Sequence, residues 1–397
     1  MLLGFGCGDK VGAPDREPPP ELTAAAKQLV ESDNRFGLNL FGEIVAAEPD
    51  ENIFISPLSV SMALGMTYNG ARGTTEEAMR EVLEYGDLTR EEINQSYRDI
   101  IDVLSALDPN VDFSIANSIW HRREVTFKPD FLDVNTRYFD AEVTPLDFSA
   151  PDAASTINDW VNQETNGRIE EIVDDPISPE LIMFLINAIY FKAAWTYEFD
   201  PDETFDGMFN LPDGSQAPCR MMAMEDTFSY QKTKDFQAVE LPYGDGDFSM
   251  VVMLPAAGSE VDDLIGLMTP ENWSLWVGGF GNVRIVYHMP KFTLQYEIGL
   301  NDVLAAMGMG LAFDPHAADL TGLYEGFGNA YIDKVKHKTF VKVDEEGTEA
   351  AAVTSVGIGA TSMPVSMIVD RPFVFVIRDS HTNTILFVGK VVEPLLD

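Results

Sequence analysis

Apolar positions recur at helical spacing through the first third of the chain and at strand spacing through most of the rest. ELTAAAKQLVESDNRFGLNLFGEIVAA, starting at Glu21, predicts a helix with Leu29, Phe36, Leu40, Phe41 and Ile44 facing inward. NIFISPLSVSMALGMTYNGA predicts a short strand and then a helix opening at Ser56-Pro57, with Ser as N-cap and Pro at the first helical position. TTEEAMREVLEY reads as a helix opening on a Thr74–Glu77 capping box. From Val111 the pattern changes, and VDFSIANSIWHRR and AEVTPLDF read as strands. DAASTINDWVNQETNGRIEEIV predicts a helix ended by Asn166-Gly167 and followed by a second short one. LIMFLINAIYFKAAW is a continuous apolar run, as expected of a strand buried on both faces. After Phe205 strands dominate, with one short helix at NDVLAAMGMGLAF and a closing pair joined by a turn near Ser380-His381. No repeat or composition break divides the chain after about residue 21. The expectation is one α+β domain over 22–397, helices mostly first and sheet mostly last, behind a Pro-rich tether at 1–21.

One stretch does not fit an ordinary loop. EEGTEAAAVTSVGIGATSMP, Glu345 to Pro364, has no Lys, Arg or aromatic residue and no charge after Glu349. Along a strand, Thr348, Ala350, Ala352, Thr354 and Val356 would share one face, and Glu349, Ala351, Val353 and Ser355 the other. The first face is small and uncharged, so it could enter a packed sheet without overfilling it. Gly347 can supply a hinge where φ changes sharply. These features read as a loop built to become a central strand.

Composition narrows the function. The 397 residues carry 26 Lys+Arg against 65 Asp+Glu, a formal net charge of −39. Such a surface repels nucleic acid and heparin-like polyanions. No run of 18 or more apolar residues predicts a membrane-spanning helix. Neither HExxH, GxSxG nor a Walker sequence occurs. Asp379-Ser380-His381 are neighbours in a turn and cannot form a catalytic relay. No metal, cofactor or enzymatic activity is expected. Asn94-Gln95-Ser96 and Asn272-Trp273-Ser274 read as coincidental sequons, and Cys219 as a structural bystander. Cys7 closes a short apolar run, MLLGFGC, that resembles the end of a bacterial lipoprotein signal. It is a candidate lipid attachment site, alternatively a stray cysteine in a disordered leader. The run is short and lacks a basic start, as a truncated or misassigned beginning would leave it. Membrane contact is expected only through such an anchor, with the protein extracellular, cell-surface or periplasmic.

The hinge EEGTEAAAVT, together with NIFISPLS, LINAIYFKAAW, MPKFTL and RPFVFVIRDSHTNTILFVGKVVEP at their places along the chain, resembles the serpin family from about residue 30 to 397. The resemblance implies three β-sheets, about eight or nine helices and an exposed reactive-centre loop. It implies a monomeric suicide-substrate inhibitor: a serine protease cleaves the loop, forms an acyl-enzyme, and is carried away as the hinge inserts into the central sheet. Shutter residues governing sheet opening match Ser56, Ser59, Asn187 and His337; breach residues match Trp195, Lys291 and Glu345. Family spacing counted from both ends puts the scissile bond at Thr361–Ser362, with Ala360–Thr361 as the alternative. A small β-branched residue there suits an elastase-like or subtilisin-like target. Val353 departs from the family's usual Ala or Gly, on the face where tolerance is expected. The helix matching the heparin-binding one, about Leu88 to Leu107, is acidic, so no heparin activation is expected. The second reading is a non-inhibitory member acting in binding, storage or as a chaperone. The uncharged hinge argues for the inhibitor.

Overall fold

The computed structural model describes residues 19–326, 330–348 and 365–395. The first helix, Ala24–Ala47, is capped by the Thr23 side chain and buries Leu29, Phe36, Leu40, Phe41 and Ile44. Pro57–Tyr68 begins under Ser56, whose hydroxyl accepts from the Ser59 N–H. That helix is buried along nearly its whole length, so its sequence shows little amphipathic pattern. Counting the kinked stretch Asn301–Phe313 as one, the described residues form nine α-helices. The kink falls at Gly308, where φ is +122°.

Three sheets form around this core. Strands Ile53–Ile55, Ile385–Val391, Phe373–Asp379, Phe248–Pro255 and Phe236–Tyr243 make one antiparallel sheet. The long strand Gln216–Lys232 pairs with it and continues into a second sheet with Phe205–Asn210, Gly281–Pro290 and Val365–Ile368. The third, central sheet is divided. One part runs Gly347–Thr348, Met183–Ala194, Val111–Arg122, Glu142–Leu146. The other is the pair Phe292–Gly299 and Lys336–Val343.

Several local expectations are corrected. The capping box at Thr74–Glu77 does not form: that helix spans Gly73–Val82 with Arg72 as N-cap and no side-chain cap. The box closes instead at Thr89–Glu92, opening Arg90–Ala106. No second helix follows Ala153–Glu164. The segment past Gly167 is irregular, with bends, because the Asn158 carboxamide takes the N–H groups of Ile172 and Val173 and donates to the Val173 carbonyl. Met183–Ala194 is not buried on both faces; buried and half-buried residues alternate along it, since part of it borders a cavity. Asn94 lies buried, hydrogen-bonded to Asn69, which bars it from glycosylation in the folded state.

A divided central sheet and its hinge

The division in the central sheet is a slot of about 640 Å³. Its walls are Met183–Phe191 on one side and Lys336–Lys342 on the other, with Ser56, Ser59 and Val60 below. Met183–Lys192 pairs with Val111–Arg122 along its outer edge, and among the described residues Lys336–Val343 pairs only with Phe292–Gly299. Two strand edges therefore face each other across a gap, and among the described residues no strand joins them below Gly347–Thr348. Such an edge is a template for an added strand.

Gly347 and Thr348 occupy the top of the slot. They pair antiparallel with Ala194 and Ala193, so the start of the predicted hinge already lies in the sheet rather than in an exposed loop. Gly347 takes φ +145°, and a Cβ there would come within 2.2 Å of the Ala193 carbonyl oxygen. Only glycine fits that close approach. Thr348 is buried, and its hydroxyl lies 2.9 Å from the buried Tyr243 hydroxyl. Burial pushes the tyrosine's pKa upward and keeps it a neutral hydrogen-bonding partner.

The breach residues are brought together. Glu345 pairs with Lys291, and its other carboxylate oxygen accepts from the Thr204 hydroxyl at 2.8 Å. Burial alone would push the carboxyl's pKa up; the Lys291 ammonium, a backbone N–H and Thr204 outweigh it and hold it below the usual range. Trp195 donates from its indole N–H to the Asp344 carbonyl at 3.0 Å and stacks on Tyr243 at 4.4 Å between ring centres. Backbone bonds Trp195 N–H to Glu346 and Phe199 N–H to Glu345 complete the clasp.

The shutter residues lie at the base of the slot. His337 Nε2 accepts from the Ser56 N–H at 3.0 Å, so the ring is held neutral. Burial lowers its pKa from the usual 6.5 to about 4. The Ser56 hydroxyl donates to the Leu386 carbonyl at 2.8 Å. Asn187 joins this group less directly: its backbone carbonyl takes the Ser59 hydroxyl at 3.4 Å, and its side-chain amide donates to Asn117 across the neighbouring strand. The Asn187 side-chain oxygen is buried with no hydrogen-bond partner among the described residues. The segment 168–182 also lines the slot as a strap: Asp174 pairs with Lys334 and Lys336, and Lys338 donates to the Glu171 carbonyl, tying the strap to one slot wall.

Tyr243, Thr204 and Asn117 escaped the sequence reading. Tyr243 and Thr204 meet the hinge from 105 and 141 residues away, and no local pattern marks them. The expected hinge residues Glu349, Ala350, Ala351, Ala352, Val353 and Thr354, both scissile-bond candidates among Ala360, Thr361 and Ser362, and Cys7 lie outside the described residues.

A sequence model described as serpin, serine protease inhibitor, matches residues 31–394. The chain belongs to the serpin family. Leukocyte elastase inhibitor of Sus scrofa is 34% identical over 383 residues, covering 93% of this chain and all of that one. The native-state crystal structure of tengpin, a thermophilic serpin, superposes with a TM-score of 0.84 at 32% identity, covering 95% of this chain and 97% of that one. Human thyroxine-binding globulin, solved as a complex with its ligand, superposes at 0.86 with 28% identity, covering 94% and 100%. The relatives thus include a named protease inhibitor and a named binding protein, and neither name describes a catalyst.

Proposed function

We propose that this serpin is a suicide-substrate inhibitor of serine proteases that prefer small residues, elastase-like or subtilisin-like. The observation that carries the reading is the slot. It is flanked by two strand edges that no strand joins among the described residues below Gly347–Thr348, and those two residues are already seated at its top. Each ladder bond that an entering strand makes contributes about 1 kcal/mol net, and the small side chains after Thr348 add no bulk to accommodate. The native chain is then a kinetically held state whose more stable form needs one covalent cut.

The sequence of events follows from these contacts. Cleavage at Thr361–Ser362 releases the loop's far end while the protease remains joined to Thr361 as an ester. Residues Glu349 to Thr354 continue the register begun by Gly347–Thr348, with Ala350, Ala352 and Thr354 facing inward. Shutter and strap contacts yield as the walls take up the new strand. The bound protease is carried along the sheet before its ester is hydrolysed. A relative named for binding, thyroxine-binding globulin, marks the alternative of a non-inhibitory binding, storage or chaperone protein, whose loop is cut without trapping.

Mixing the protein with an elastase is expected to give an SDS-stable complex and a released C-terminal peptide beginning at Ser362, read by mass spectrometry. A peptide beginning at Thr361 moves the bond by one residue and keeps the mechanism. Complete cleavage without any complex across elastase-like and subtilisin-like proteases contradicts it.

A further inference from the structure

The fold carries more negative charge than its cations can pair. Acids outnumber bases 65 to 26 over the chain. Several bases already serve two carboxylates each: Arg98 meets Asp102 and Asp140, Arg35 meets Glu84 and Glu271, and Lys336 meets Asp174 and Glu297. Glu77 and Glu81 are both exposed and lie one turn apart on Gly73–Val82, a like-charge spacing that destabilises a helix. The helices Ala24–Ala47, Arg90–Ala106 and Ala153–Glu164 have no basic residue in the last turn, where one would favour the helix dipole. Acids close two of them: Glu48 is the C-cap of the first, and Glu164 is the last residue of the third.

Magnitudes decide what salt does to such a fold. Side chains one helical turn apart sit about 6 Å from each other. The Debye length is about 10 Å at about 0.1 M salt and about 3 Å at about 1 M, so repulsion at that spacing is felt in the first medium and largely screened in the second. Salt weakens the ion pairs too, but exposed pairs contribute little each. Even with every base cancelling one acid, a net charge of −39 remains, and self-repulsion of that kind opposes the compact state. We propose that a saline medium is built into this fold: a diffuse layer of monovalent cations, held at no single site, keeps the native state standing, and the chain opens as salt is withdrawn. The proposal stands apart from the inhibitory reading.

The test follows the first unfolding transition of the full chain in urea, which leaves ionic strength unchanged, at neutral pH. Its midpoint is expected to rise by about 1 M of urea between about 0.1 M and about 1 M KCl, and equally in tetramethylammonium chloride. A second protein carries Glu43→Lys, Glu51→Lys, Glu77→Lys and Glu81→Lys, at exposed positions outside the slot. Self-repulsion grows with the square of the net charge, so its gain should be roughly one-third smaller. A midpoint that stays level or falls with salt overturns the proposal. A gain in KCl without one in tetramethylammonium chloride means a specific potassium site and overturns the diffuse layer. Equal gains in the parent and the four-lysine variant mean that salt acts on apolar burial, and they overturn the electrostatic origin.

Discussion

Thr348→Arg is expected to turn the inhibitor into a substrate. The Thr348 side chain is buried at the top of the slot, against the neutral Tyr243 hydroxyl. An unpaired guanidinium there costs several kcal/mol. Every 1.4 kcal/mol shifts the competition between insertion and ester hydrolysis about tenfold. Trapping per cleavage event should therefore fall by about 100-fold or more, while cleavage itself continues. Because Gly347–Thr348 already pair with Ala193–Ala194, the variant also expels the hinge from the uncut sheet. The measurement is the stoichiometry of inhibition against an elastase, with a denaturing gel for the complex. Full trapping by the variant contradicts insertion through this position.

Acidification should weaken the closed shutter through His337. The folded pKa is about 4 and the ordinary value 6.5, so the unfolded chain binds more protons between them. The destabilisation is absent above pH 6.5, grows as pH falls, and is complete below about 4. Its size is about 3 kcal/mol, and protonated Nε2 also loses the Ser56 N–H it accepts. Asp33 acts in the opposite sense. Burial raises its pKa to about 7, against hydrogen bonds from Tyr97 and near Ser61, so acidification through that range favours the folded chain. The two are separated by comparison with His337→Gln, which keeps the Asp33 contribution. The first denaturant transition of the parent, but not of the variant, should lose the His337 increment between pH 6.5 and 4. Parallel profiles contradict the assignment.

What the sequence revealed follows physical locality. Helix faces such as Leu29 to Ile44 were legible because periodicity survives wherever one face meets solvent. The fold could be read from several motifs in order, and three sheets with nine helices are what the described residues show. The false second helix failed because one distant side chain, Asn158, outcompeted helical hydrogen bonding over Ile172–Val173. The capping box was misplaced because Ser/Thr followed by Glu is common near helix starts, and Gly73 with its positive φ set a different entry. Breach positions Trp195, Lys291 and Glu345 could be named from motifs, whereas Thr204 and Tyr243 depend on chain crossings that only the folded structure supplies. The open slot left no mark in its Met183–Phe191 wall, which read as continuous buried strand.

The central claim is that the slot receives the loop once it is cut. Hydrogen–deuterium exchange tests it at the amides on the inner edges of Met183–Lys192 and Lys336–Val343. The protein is compared before and after loop cleavage by a protease that is then removed. Insertion predicts that these amides become strongly protected only in the cleaved protein, together with a large rise in melting temperature. Unchanged exchange along both edges after complete cleavage would mean that no strand enters, and the inhibitory mechanism proposed for this chain would be wrong.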